Sequence, residues 1–410
     1  MTSITSLNED CLLRIIEFLD LDEQLQLWQA TEATSRLNTV ISYAWQRQNK
    51  HSISRENFEG RPELLEDFLN TIRVTMTELT MRYLPMEQLE LWRKHQFPNI
   101  RELYYMGDEN GDVDGDSDIE ILVNCFPQLE SIGLSGNTTG KYIDQWRHLR
   151  RLDLQLCWYL STQCFEDICK SLPLQSLNIQ WRRAEEDAYA RAVSTLLHLE
   201  ELELDIVHLA PENVRQILSL PKLRKLRVHN FDQLDDLLLE IGRLRGKDVV
   251  SATCNDNIWM RTPGVLSKLN NVRSLTLIDD EGCCAIDFSV IINCFPRLEQ
   301  LHLENSRIWP NADGIWDVVA ACPHLTNFTI SNMVLYEEFF AFSGSIMKRI
   351  LDRRQETLVL HFNKNEMESL IRERFVHPKL KLSFEETSDV PEVPEECMEL
   401  ELLPIQRDIE

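Results

Sequence analysis

The sequence predicts an α/β solenoid, with a parallel sheet on a concave inner face and helices outside, preceded by a small all-helical segment. Three observations predict it. A six-residue phrase (apolar, two polar, apolar, any, apolar) recurs about every 25 residues from Met76 to Phe384. Helical patterns lie between its copies, many of them stopped by a proline. The first fifty residues carry no copy and space their apolar side chains as helices do. The 410 residues therefore divide into an all-helical segment over 1–50, a linker with a docking helix over 51–75, repeats over 76–384, and a solvated, disordered acidic tail over 385–410.

In chain order, Asn8 is placed to cap a first helix, with Glu9 and Asp10 in the turn where the helix dipole favours acids. Leu12, Ile15, Ile16 and Leu19 follow at helical spacing. A second short helix after Asp22 carries Leu25, Leu27 and Trp28, and a third carries Leu37, Val40, Ile41, Ala44 and Trp45. Three short helices make a core too small to be comfortably stable, so leftover apolar surface invites a partner. Next, Pro62 starts a helix with Leu65, Phe68, Leu69 and Ile72 on one side, which suits docking between the helices and the first repeat.

The repeated phrase begins at Met76, Ile100, Leu129, Leu149, Leu174, Leu199, Leu223, Val249, Val272, Leu298 and Leu325, with incomplete copies at Leu358–Phe362 and Leu380–Phe384. Its alternation marks a short strand with one buried face. Ile119–Phe126, Glu212–Leu220, Phe288–Phe295 and Gly314–Cys322 read as helices, and Pro127, Pro173, Pro221, Pro296 and Pro323 stop helices ahead of the next strand. No such unit buries enough surface alone, so the units must stack. Positions three, five and seven of each phrase point away from the core. There Glu201, Glu203 and Asp205 lie beside Lys225, Arg227 and His229. They form either an ion-pair ladder that satisfies itself or a bipolar patch for a charged partner. On the second reading the substrate contacts are Glu203 and Arg227, with Tyr104 and Trp181 as aromatic anchors.

Composition narrows the function. Lys and Arg total 42 against 67 Asp and Glu, a net charge of −25, which argues against nucleic acid and against an anionic membrane surface. No apolar run is long enough for a membrane span, and the N-terminus lacks the pattern of a signal peptide. Eleven irregularly spaced cysteines without a CxxC pair, Cys283 and Cys284 adjacent among them, read as reduced thiols in a cytoplasmic or nuclear protein. Gly136–Lys141 is one residue short of a phosphate loop and puts Tyr142 where Ser or Thr is needed. Asn110–Ile121 resembles a calcium loop but ends in Ile121, and reads as an acidic insertion. Asn137 and Asn327 sit in glycosylation sequons that stay unmodified without secretion. No catalytic constellation, metal site or cofactor motif emerges.

The repeats resemble leucine-rich repeats, specifically the cysteine-containing subtype: Cys157 stands where that family places its Asn or Cys, with Asn137 and Ser306 there in other copies. Leu7, Asp10, Cys11, Leu12, Ile15, Ile16, Leu19 and Trp45 resemble an F-box, with Asn8 replacing the family's proline, Gln24 a leucine and Glu32 a usually basic residue. The resemblance implies that Leu7, Leu12, Ile15, Ile16, Leu19, Leu25, Leu37 and Trp45 contact a Skp-family adaptor, and through it a cullin-RING ligase. It further implies that the repeats hold a protein substrate for ubiquitination and proteasomal degradation, without catalysis by this chain. The alternative is an intracellular repeat scaffold or inhibitor whose N-terminal helices only cap the solenoid.

Overall fold

The computed structural model describes residues 7–31, 35–107, 115–181, 183–205, 209–229, 234–255, 263–278, 288–304, 312–331, 335, 337–363, 366–385 and 397–405. Glu32, Cys283, Cys284, Ser306 and the stretch 108–114 lie outside them, as does most of the acidic tail. The chain forms two compact units, residues 1–180 and 181–410.

In residues 1–180, the first three helices are α1 (Glu9–Phe18), α2 (Leu21–Gln29) and α3 (Arg36–Arg47). The Asn8 side chain accepts a 2.8 Å bond from the Cys11 N–H, so the residue standing in for a proline is a working cap. On α2, Asp20 and Glu23 form a capping box. Then come strand β1 (Lys50–Ser54), α4 (Pro62–Ile72), β2 (Glu78–Arg82), β3 (Glu102–Met106), β4 (Ser131–Ser135), β5 (Arg151–Leu156) and β6 (Ser176–Gln180). The six strands pair in parallel, in chain order.

β1 corrects the expected linker over 51–75, because the array starts one strand earlier than the apolar phrase does. Gln48 and His51 stand where other copies carry apolar residues, which hid the strand. The buried His51 ring nitrogen Nε2 is satisfied by the carbonyls of Trp45 and Gln48, at 3.2 and 3.1 Å. The docking helix is where the spacing puts it. On α4 the ring of Phe68 meets Trp45 edge-on at 5.0 Å and His51 at 5.4 Å, tying the helical segment to the first repeat.

In residues 181–410, β7 (Glu201–Asp205) pairs in parallel with β8 (Lys225–His229). β9 (Val249–Asn255), β10 (Ser274–Ile278), β11 (Gln300–Glu304), β12 (Asn327–Ser331), β13 (Leu358–Phe362) and β14 (Leu380–Ser383) form a second parallel run. Helices alternate with the strands, as at Pro211–Leu218, Asp313–Ala321 and Gly344–Arg353. Alternate strand residues such as Leu202 and Leu204 are buried. Residues such as Glu203 face the other side of the sheet, its open face. This is the α/β strand–helix succession of a leucine-rich-repeat solenoid. Cys157 acts as a repeat-to-repeat link: its thiol donates to the Leu134 carbonyl at 3.3 Å.

β8 and β9 do not pair with each other. β15 (Cys397–Leu402) lies between them, antiparallel to both. This corrects the disordered tail for these residues. Acid-rich composition concealed an alternating strand: Met398, Leu400 and Leu402 are buried on the core face, whereas Glu399 stands opposite Arg227. Past the strand, Leu403 N–H donates to the Asp248 carbonyl and Ile405 N–H to that of Pro221, at 2.8 and 3.0 Å.

Candidate functional site

Two surfaces follow from the residues singled out by sequence: the outward face of α1 and the open face of the sheets. On α1, Leu12 and Ile16 are sealed in the helical core together with Leu25, Leu37 and Trp45. That corrects their assignment as adaptor contacts, since such side chains hold the three helices together and touch nothing outside. Helical geometry gives the reason. Leu12 and Ile16 share one face of α1, while Cys11, Ile15 and Phe18 fall on another. Leu7, Ile15 and Leu19 are half-buried, Cys11 is exposed, and Phe18 is 89% exposed. Sequence reasoning missed Phe18, although it lies three residues beyond Ile15 and seven beyond Cys11.

Gln24, the departure from a family leucine, stabilises the same core. Its amide donates to the carbonyls of Ile16 and Leu19 at 2.9 and 2.8 Å, and its oxygen accepts the Trp45 indole N–H at 2.7 Å. A buried amide is tolerated when each of its groups finds a partner.

On the open face of residues 1–180, Tyr104 is 39% exposed. Its ring lies over Gly133, where an added methyl would sit 2.7 Å from Tyr104 Cδ2. Leu156 at the end of β5, and Trp158 and Tyr159 just after it, are also exposed. The turn 136–142 after β4 is pinned from within: Asp116 accepts from the Thr138 hydroxyl at 2.7 Å and from the Thr139 N–H and hydroxyl at 2.8 and 2.6 Å. Asp118 accepts the Tyr105 hydroxyl at 2.6 Å. These contacts give the near-phosphate loop, and the last acids of the near-calcium loop, internal partners.

On the open face of residues 181–410, Glu203 and Arg227 do meet, with one nitrogen–oxygen distance of 2.9 Å. Arg227 also forks onto Glu399 at 2.5 and 2.9 Å, Lys225 reaches the same carboxylate at 2.9 Å, and His229 sits 2.8 Å from Glu203. Burial alone would raise the Glu203 carboxyl pKa, but the His229 hydrogen bond and the Arg227 charge bring it below its ordinary value. Likewise burial opposes the Arg227 charge, and Glu399 and Glu203 more than restore it. The bipolar patch is thus a closed internal network, completed by a residue from outside the repeats.

Trp181 is not an open-face anchor. It is 6% exposed and packs edge-on against Tyr189 at 5.8 Å. Alternation continued from Leu177 and Ile179 turns residue 181 inward, so the sequence already contained this correction.

Beyond the network, β9 to β15 present an open polar trough of about 460 Å³, lined by Ser251, Thr253, Thr276, His302, Thr329 and Glu399 among others. Burial, and then the charge of His361, push the His302 imidazole down to about 4. Among the described residues no His, Cys, Asp and Glu cluster could hold a metal ion, and no helix is long and apolar enough to cross a membrane. Burial pushes the thiols of Cys125, Cys157, Cys254 and Cys397 up to about 12, far from thiolate chemistry.

No family model matches the sequence, and no curated protein does. Solved structures that match this chain include two at low identity. The Rad7 and Elc1 complex in yeast is 14% identical, covering 91% of this chain and 92% of that one, with a TM-score of 0.34. The complex of TLR13 with ssRNA13 is 13% identical, covering 84% of this chain and 62% of that one, with a TM-score of 0.40. The fold assignment stands on the strand–helix succession described above.

Proposed function

We propose that the chain is the substrate-recognition subunit of an SCF-type ubiquitin ligase, a receptor without catalysis of its own. In this reading the outward face of α1 docks a Skp-family adaptor and thereby a cullin-RING ligase. The repeats hold a target protein, in cytoplasm or nucleus, for ubiquitination and proteasomal degradation. Holding target and ligase together raises the effective concentration of one near the other, which is all a receptor must supply.

One observation carries the reading: α1 spends Leu12, Leu13 and Ile16 on its own core and still leaves Ile15, Phe18 and Cys11 at the surface. A helix that only capped the array would need one apolar face, and this one has two. The test is affinity purification of full-length protein with the proteasome blocked, comparing wild type with Phe18→Asp. Wild type should recover adaptor and cullin, and the variant should lose both at unchanged melting temperature. If wild type recovers neither, or the folded variant recovers both, the scaffold reading takes its place.

A further inference from the structure

Two arginines are buried among the described residues, Arg245 and Arg354; Arg245 has Asp248 at 2.8 Å, whereas Arg354 has no carboxylate within ion-pair distance, and Arg353 stands beside it. Arg353 and Arg354 line an open pocket of about 400 Å³ between the C-terminal ends of the helices Asp313–Ala321 and Gly344–Arg353, with His324, Ile350, Gln355 and Glu356 among its other walls. Arg354 is 7% exposed. Its guanidinium donates to the carbonyls of Val319 and Cys322 at 3.2 Å each and to that of Leu325, closing off the end of the helix Asp313–Ala321. Its Nε finds no partner, and no carboxylate lies within ion-pair distance among the described residues. Burial is the main influence on it and lowers its pKa, and the charge of Glu356 offsets this only in part.

A buried cation is ordinarily matched by an anion, because taking it from water without one is costly. Carbonyl dipoles hold Arg354 in place as a structural clamp. Arg353 is held by nothing comparable. It is exposed, and among the described residues it makes neither a hydrogen bond nor an ion pair. The pocket therefore combines one buried guanidinium without an ion-pair partner, one free guanidinium, an imidazole, an amide and the carboxylate of Glu356. We propose that it is an oxyanion site, taking a phosphate or carboxylate, with Arg353 as the fork that grips it and Arg354 as the fixed positive field behind. Arginine presents paired N–H groups that match two oxygens of such a group. His324 and Gln355 add donors at the rim, whereas the Glu356 carboxylate on the same wall opposes an anion, so the two guanidiniums must outweigh it. The site does not depend on the adaptor reading, since it lies among helices of residues 181–410.

The test is calorimetric titration of the full chain with four probes: inorganic phosphate alone, and an alanine-flanked peptide carrying phosphoserine, glutamate or serine at its centre. Inorganic phosphate or the phosphoserine peptide should saturate, and the serine peptide should not bind. Phosphate without the phosphopeptide identifies a free ion, the phosphopeptide identifies a ligand presented by a protein, and the glutamate peptide extends the site to carboxylates. Arg353→Ala should weaken binding at least tenfold at unchanged melting temperature, and Arg353→Lys should retain part of it. Arg372→Ala, which removes a cation already paired with Glu368 at 2.8 Å, should leave binding unchanged. The proposal falls if no probe saturates, if Arg353→Ala binds as wild type does, or if the two alanine variants weaken binding alike.

Discussion

The open face of residues 1–180 and that of residues 181–410 are built from the same repeat and end in opposite states. On the first, Tyr104 lies across a glycine and Leu156 stands exposed. On the second, Lys225 and Arg227 are met by Glu399, from a strand the repeat does not contain. Periodicity sets where side chains point. Single non-periodic residues, Gly133 in one case and Glu399 in the other, set what the face offers a partner.

The contrast breaks most severely at the inserted strand. Leu400→Asp places an unpaired carboxylate in a fully buried site, which costs several kcal/mol. Leu156→Asp makes the same chemical change at an exposed site and should stay within about 0.5 kcal/mol of wild type. Urea unfolding midpoints measure both, and similar losses would mean that β15 is not part of the folded sheet.

A smaller effect is expected in the ion network itself. Glu399→Arg puts a third cation against Arg227 and Lys225, for a loss of about 1–3 kcal/mol. Adding Arg227→Glu should recover part of that loss, while leaving Glu203 facing an introduced acid. A double-mutant cycle that shows no coupling would reduce the network to surface decoration.

The mildest test is pH. His302 takes its proton at about 4 in the fold, against an ordinary 6.5. The unfolded chain therefore binds more protons between those values, and stability falls as pH falls through that window. His302→Gln should remove this contribution, on the order of 1–3 kcal/mol, and flatten the slope of stability between pH 6.5 and 4. An unchanged slope would assign the titration to other groups. Acid loss at Glu203 follows the same sign but begins lower, at the ordinary glutamate value kept by the unfolded chain, and runs down through its lowered value in the fold.

The sequence by itself determined the repeat period, the strand positions from Met76 to Phe384, the docking helix Pro62–Ile72 and the cap at Asn8. Each is a local pattern: strand alternation, helical spacing or a capping residue acts within a few residues, so a short window contains its whole cause. Trp181 was legible too, because alternation alone turns it inward. Only the tertiary structure decided the rest. β1 replaces apolar signal with a histidine whose partners are two backbone carbonyls. Gln24 is a suitable core residue only because Trp45 and two carbonyls converge on it. Which side of α1 stays outside depends on where α2 and α3 pack. And Glu399 finds Arg227 across 172 residues of chain, a pairing that no local window contains. Burial and charge compensation belong to neighbours in space, and the chain names those neighbours only once it has folded.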